Sequence, residues 1–143
     1  MNDEAEECLE KGYIRKLSHV PKERIDSEIA EAVNFLSEAK EIIGKTHANK
    51  SAFLAAYQSM FHSARALLLL KGYSERSHYC LVIFTKAIFR GSEVYRYLEM
   101  LDSYREVRHG ASYGGASLSR ADAEEIIKDA ENFLRVVKAC LKK

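Results

Sequence analysis

"SAFLAAYQSMFHSARALLLLKGY", residues 51–73, decides the fold. The segment is apolar on most sides, with Gln58, His62 and Arg65 as its polar exceptions. A helix that is hydrophobic nearly all round must be covered nearly all round, so it belongs in the middle of a bundle. Lys71 and Gly72 end it, because a cation complements the C-terminal dipole and glycine accepts the left-handed cap. Its longest apolar run, "ALLLL" at 66–70, is far too short to span a bilayer.

The flanking segments supply the covering surfaces. From Lys22 to about Ile43, apolar residues recur at Ile25, Ile29, Ala32, Val33, Leu36, Ala39 and Ile43, the spacing of an amphipathic helix. Pro21 suits the start of that helix and Gly44 its end. Glu4 to Lys16 reads as a short leading helix weakened by Gly12, and "SHVP" at 18–21 breaks the chain after it. "HYCLVIFTKAIF", 78–89, has the β-branched and aromatic content of a strand. It is expected to be helical, since one strand among helices would have no partner. Ser92 can cap a helix from Glu93 to about His109, with the stripe Val94, Leu98 and Leu101 and with Tyr97 and Tyr104 beside it. Ser119 and Asp122 resemble a capping box ahead of a last helix with the stripe Ile126, Ala130, Phe133, Val137 and Cys140. No internal repeat or low-complexity segment interrupts this order. The expectation is an all-α protein, an antiparallel up-and-down helical bundle of four main helices plus a short N-terminal helix, forming one domain over residues 1–143.

Composition narrows the function. Apolar residues make up 47% of the chain, enough for a core, and 22 basic residues against 21 acidic leave a formal net charge of +1. The chain therefore lacks the overall positive field of a nucleic-acid binder, and any such contact must come from a local patch. Cys8, Cys80 and Cys140 are odd in number, widely spaced and outside any C-x-x-C pair. They predict a reducing compartment with neither a disulfide framework nor a zinc knuckle, with Cys80 and Cys140 as core fillers. The acidic start "MNDEAEECLEKG" is unlike a signal or transit peptide, and a cytoplasmic protein is expected.

One stretch departs from framework. "SYREVRHGASYGG", 103–115, gathers Arg105, Arg108, His109, Ser112 and Tyr113 around Gly110, Gly114 and Gly115. Local rules make it a helix end, with cations in the last turn and glycine after it. Helical steps from Val94 through Leu98 and Leu101 reach Arg105 and Arg108, so both arginines leave the helix on its buried side. A capping cation has no need to face inward. Two arginines there imply snorkelling past the core edge or a pocket for an anion. Arg108 could grip a phosphate in fork geometry, and Tyr113 could hydrogen-bond or stack on a base, with Ser112 and His109 adding polar groups. Elsewhere, His62 and His78 lack the i, i+4 spacing of a zinc helix and read as partly buried, internally bonded residues. Tyr57 and Phe61 read as core. "YGGAS" lacks the lysine and the preceding strand of a phosphate-binding loop. No metal or cofactor is expected.

These residues also carry a resemblance to a known family. "CLEKGYIRKL" near the start, "AAYQSMFHSARALLLLKGYSERSHYCLVIF" at 55–84 and "YREVRHGASYG" at 104–114 resemble small prokaryotic HEPN-domain proteins, the last through an Arg-x-x-Ala-[polar]-Tyr signature. The resemblance implies a helical bundle that forms a homodimer, so that the motifs of two subunits meet in one cleft. It also implies a nucleotidyltransferase-like partner in a toxin–antitoxin-type pair, and RNA or a nucleotide as ligand. Many HEPN proteins are metal-independent ribonucleases, with an Arg, a polar residue and a His after four to six intervening positions. Here Arg108 fits the arginine and His109 the polar position, but Tyr113 stands where the catalytic histidine would fall. From Arg105, His109 follows after only three intervening residues. A tyrosine near its ordinary pKa is a poor base, whereas histidine titrates near neutrality. The resemblance thus favours binding through Arg105, Arg108, Ser112 and Tyr113. A ribonuclease using Arg108 with His109 or Tyr113 is the alternative, and a dimerising scaffold the second. In some relatives a tyrosine in this region accepts nucleotidyl groups from the partner enzyme, which makes Tyr113 the candidate acceptor.

Overall fold

The computed structural model of the chain describes residues 1–113 and 117–143, with side chains for all of these except 111–113. Among the described residues there are six helices and one small sheet: α1 Asp3–Glu10, β1 Ile14–Lys16, α2 Lys22–Lys45, α3 Asn49–Leu70, β2 Tyr73–Glu75, α4 His78–Ile88, α5 Tyr95–Tyr113 and α6 Arg120–Leu141. None of the helices is long and apolar enough to cross a membrane.

The all-α expectation holds, and α3 is its axis. Fourteen of its residues are buried, from Ala52 to Leu69. On one side α3 packs against α2 and α6, which also touch each other; on the other it meets α4 and α5, and α1 covers α4. Small residues allow close approach: Ala32 and Ala39 of α2 and Ala52 and Ala56 of α3 are all fully buried. Ser59 Oγ donates to the carbonyl of Ala32 at 2.7 Å, which satisfies a hydroxyl sealed between the two helices. Ser119 and Asp122 form the expected capping box at the start of α6, with both reciprocal hydrogen bonds in place.

Several boundaries differ from the sequence reading. The leading helix ends at Glu10 rather than Lys16, because Gly12 adopts φ +75° and turns the chain. The residues beyond it form β1, paired antiparallel with β2 in the register Ile14↔Glu75, Arg15↔Ser74 and Lys16↔Tyr73. Neither strand is visible as a pattern, since three residues are too few for an alternation. Gly44 does not end α2; the helix runs to Lys45, and Thr46 Oγ1 caps the carbonyl of Ile42 at 2.7 Å. Val33 is 39% exposed and lies outside the buried stripe. Segment 78–89 is helical as expected, with Ser77 capping the amide of Cys80. Helix α5 begins at Tyr95, and Ser92 Oγ accepts from the Val94 amide ahead of it. Gly110 does not stop α5, which continues to Tyr113.

The cysteine reading is also corrected. Cys8 of α1 and Cys80 of α4 form a disulfide with Cα atoms 5.7 Å apart, and Cys140 remains free. Cys80 is buried as expected, but it is bonded rather than packed as a thiol. Spacing of 72 residues hides such a pair from the sequence, because only the docking of α1 on α4 brings the two together.

Candidate functional site

Helical spacing puts Tyr57, Phe61 and Arg65 on one stripe of α3, one turn apart. Tyr57 and Phe61 are core residues, fully or almost fully buried, as their sequence predicts. Each step of the stripe carries a group from another element. The Arg108 guanidinium of α5 lies 5.3 Å from the centre of the Tyr57 ring. The His78 ring of α4 lies 4.1 Å from that of Phe61, tilted by 33°. Glu75 of β2 accepts from Arg65 Nε at 2.6 Å.

The Arg65 end is saturated. Arg65 Nη1 donates to Glu28 at 3.0 Å, and His62 Nδ1 lies 3.2 Å from the same carboxylate oxygen. His62 also stacks on Phe35, with ring centres 5.4 Å apart. The expectation of an internally bonded histidine holds for His62. The two carboxylates respond differently to one guanidinium. Burial opposes ionisation of Glu28, but hydrogen bonds from His62 and Arg65 outweigh it and hold the group below its ordinary range. Burial also raises Glu75, and Arg65 offsets this only in part because Glu28 repels the second negative charge.

The α5 side is less balanced. Asp102 takes Arg105 at 3.0 Å and Lys86 at 3.4 Å, so Arg105 is committed to a carboxylate while its guanidinium also lies 5.2 Å from the Tyr79 ring. These residues, with Glu4, line a cleft of about 300 Å³ between α1, α4 and α5. Arg108, one turn on, is half-buried and has no carboxylate partner among the described residues. The Tyr57 hydroxyl is buried, with no hydrogen-bond partner among the described residues. Burial raises the Tyr57 pKa, although Arg108 and Arg105 both pull it down. His78 is exposed and shifted the opposite way from a paired histidine: burial of its ring against Phe61, then repulsion by Arg108, Arg65 and His62, lower its pKa.

The structure therefore brings Arg108 to the buried side of α5, as the stripe count expects, and keeps Arg105 beside it. His109 is exposed, on the position that helical rotation turns about 100° from Arg108. Ser112 and Tyr113 belong to the last turn of α5, but their side chains lie outside the described residues. Two residues join the site that the sequence reading leaves in the framework, His78 and Tyr57. The signal for His78 in the sequence is its place in the 55–84 block that carries the family resemblance. No three His, Cys, Asp or Glu side chains converge as metal ligands among the described residues.

Comparison with known proteins supplies the affiliation. The HEPN domain model matches residues 26–140, from α2 to the end of α6. The chain belongs to the HEPN family. A HEPN-sized relative from Methanocaldococcus jannaschii, described as "Putative toxin MJ0605", is 32% identical over 124 residues, covering 85% of this chain and 91% of the relative. The match takes in the whole α3 stripe together with His78 and Arg108.

Proposed function

We propose that this HEPN protein is a toxin-type module that binds RNA or a nucleotide through Arg108. The observation that carries the reading is the contrast in charge pairing. Arg65 and Arg105 are held by carboxylates, whereas Arg108 is fixed over the Tyr57 ring with none among the described residues. A guanidinium positioned by packing and left without a counter-ion is prepared for a phosphate. Arg105, Ser112 and Tyr113 complete the binding face, Tyr113 being the residue for a base or for nucleotidyl transfer. The printed description of the relative as a toxin supports the toxin-type assignment. The homodimer, in which two α5 segments face one cleft, and the nucleotidyltransferase-like partner rest on the family resemblance.

The test is binding of a labelled 2′-O-methyl RNA, which cannot be cleaved at its 2′-oxygen, by wild type and Arg108→Ala. Arg108→Ala should weaken binding at least about tenfold, roughly 1.4 kcal/mol. Equal affinities for the two proteins, or no binding by wild type, would overturn the reading. Sedimentation of the wild-type protein checks the dimer.

A further inference from the structure

Helix α1 is held to the bundle by little besides one covalent bond. Among the described residues it packs on α4 and β1 alone. Its buried residues are small, Ala5 and Cys8, with Leu9 partly buried beside them. It has eight residues, and isolated helices shorter than about 12–15 residues are marginal in water. The Cys8–Cys80 bond is therefore its main tie. The match to the family begins at residue 26, so α1 is an addition to the matched core.

What α1 brings is negative charge. Asp3, Glu4, Glu6, Glu7 and Glu10 crowd its short length. Glu4 accepts from the Tyr79 hydroxyl, and the Arg105 guanidinium lies 5.2 Å from the centre of the same ring. Glu4 and Asn2 close one wall of the cleft that also holds Lys86, Arg90 and Arg105. A carboxylate thus stands in the cleft with Arg105 and lowers its attraction for any other anion.

The bond can be reached and has a favoured direction of opening. Cys8 and Cys80 are only 3% and 4% exposed, yet both line a cavity of about 350 Å³ that opens to solvent beside Tyr13 and Tyr79. Cys80 is the third residue of α4, where the positive end of the helix dipole favours a thiolate. Cys8 lies in the last turn of α1, with Glu4 one turn before it, a setting that disfavours one. Attack on the Cys8 sulfur with Cys80 leaving is the favoured route.

We propose that Cys8–Cys80 is a thiol–disulfide exchange site, and that its reduction by a dithiol frees the acidic α1 from the cleft and raises the affinity of the α5 arginine face for RNA. The release stands on the contacts of α1; the gain in affinity rests on the RNA binding proposed above. One thiolate of the dithiol bonds to the Cys8 sulfur, the Cys8–Cys80 bond breaks, and Cys80 leaves as a thiolate that takes up a proton. The second thiol of the dithiol loses its proton and attacks its partner sulfur in the mixed disulfide, and Cys8 leaves and is protonated. Two electrons and two protons pass from the dithiol to the protein, and the dithiol becomes a disulfide. Strand β1 stays paired with β2, and the Tyr13 carbonyl accepts from the Arg76 amide at 2.8 Å, so the chain lets go only ahead of Tyr13.

The experiment compares the oxidised protein with the same protein in dithiothreitol, both in a Cys140→Ser background so that one cysteine pair reports. A bond that dithiothreitol opens only in denaturant overturns the exchange site. On reduction, hydrogen exchange should rise in the amides of α1 while α3 keeps its protection. Unchanged protection of α1 overturns the release. Loss of protection in α3 overturns it too, because the whole fold would then have opened. Affinity for 2′-O-methyl RNA should rise about fivefold or more on reduction, the effect of withdrawing one carboxylate from about 4 Å in water. Glu4→Gln should gain part of that rise while still oxidised. RNA bound equally by both forms overturns the control by α1 and spares RNA binding itself. No binding by either form removes the RNA reading and the gain in affinity with it, and hydrogen exchange then decides the release on its own.

Discussion

Arg65 and Arg108 meet the same stripe of α3 one or two turns apart, and their surroundings are opposite. Arg65 reaches two carboxylates, Glu28 and Glu75, whose side chains are 12% and 9% exposed. Arg108 reaches the Tyr57 ring and, among the described residues, no carboxylate. Both are half-buried guanidiniums close to Phe61 or Tyr57, so burial alone does not distinguish them. Counter-charge does. A cation compensated inside the fold contributes to holding α2, α3 and β2 together. One left uncompensated costs some stability and keeps its charge for a ligand.

The largest effect should come from the bond that anchors the α4 side of this arrangement. The Cys8–Cys80 disulfide closes a loop of 72 residues and fixes α1 to the first turn of α4, where His78 sits. Its loss through Cys8→Ser should lower stability by up to about 4 kcal/mol on the chain-entropy argument. Denaturant unfolding of the two proteins checks this. Thiol titration of the denatured, unreduced protein should count one cysteine, Cys140; three would remove the bond from the description.

Next come the arginines themselves. Arg65→Ala leaves the largely buried Glu28 and Glu75 without their cation and should cost about 2–3 kcal/mol, below the roughly 3–5 kcal/mol of a fully buried pair because Arg65 is partly exposed. Arg108→Ala should change stability by less than about 1 kcal/mol, since only a cation–ring contact is lost. The order should reverse for nucleic acid. Arg108→Ala should flatten the plot of log affinity against log salt by about one unit, one phosphate contact's worth, and Arg65→Ala should leave the slope alone. Equal losses of stability in the two variants would break the comparison.

How much of this contrast the sequence shows depends on range. Helix α3 is legible because burial all round leaves few alternatives, and the capping box of α6 is a local, three-residue signal. The inward direction of Arg105 and Arg108 follows from helical steps alone. The continuation of α5 past Gly110 does not, because glycine's helix-ending tendency is weaker than the packing of the turns before it. What escapes is long-range. Glu28, Glu75 and His78 meet α3 only through the packing of α2, β2 and α4 against it, and no spacing rule links residue 28 to residue 65. Cys8 and Cys80 are hidden for the same reason.

The smallest effect is in the pH dependence of stability, and it separates the two ends of the stripe by pH range. At the Arg65 end, Glu28 has a lowered pKa, so its contribution is present above about 4.5 and is lost as acid titrates the folded form. At the Arg108 end, His78 has a lowered pKa as well, but for a group that is charged when protonated. Between its folded value and the unfolded value of about 6.5, the unfolded chain binds more protons, so stability should fall as pH drops below 6.5. His78→Gln should remove the part of the loss that begins near 6.5 and leave the part below 4.5. Arg108→Ala should reduce the first part without abolishing it, because burial is a larger cause of the His78 shift than Arg108 is. Thermal melts across pH 4 to 8 read both windows in one series. A first window unchanged in His78→Gln would mean that neither burial nor the field around Arg108 shifts His78, and the distinction between the two arginines would then rest on ion pairing alone.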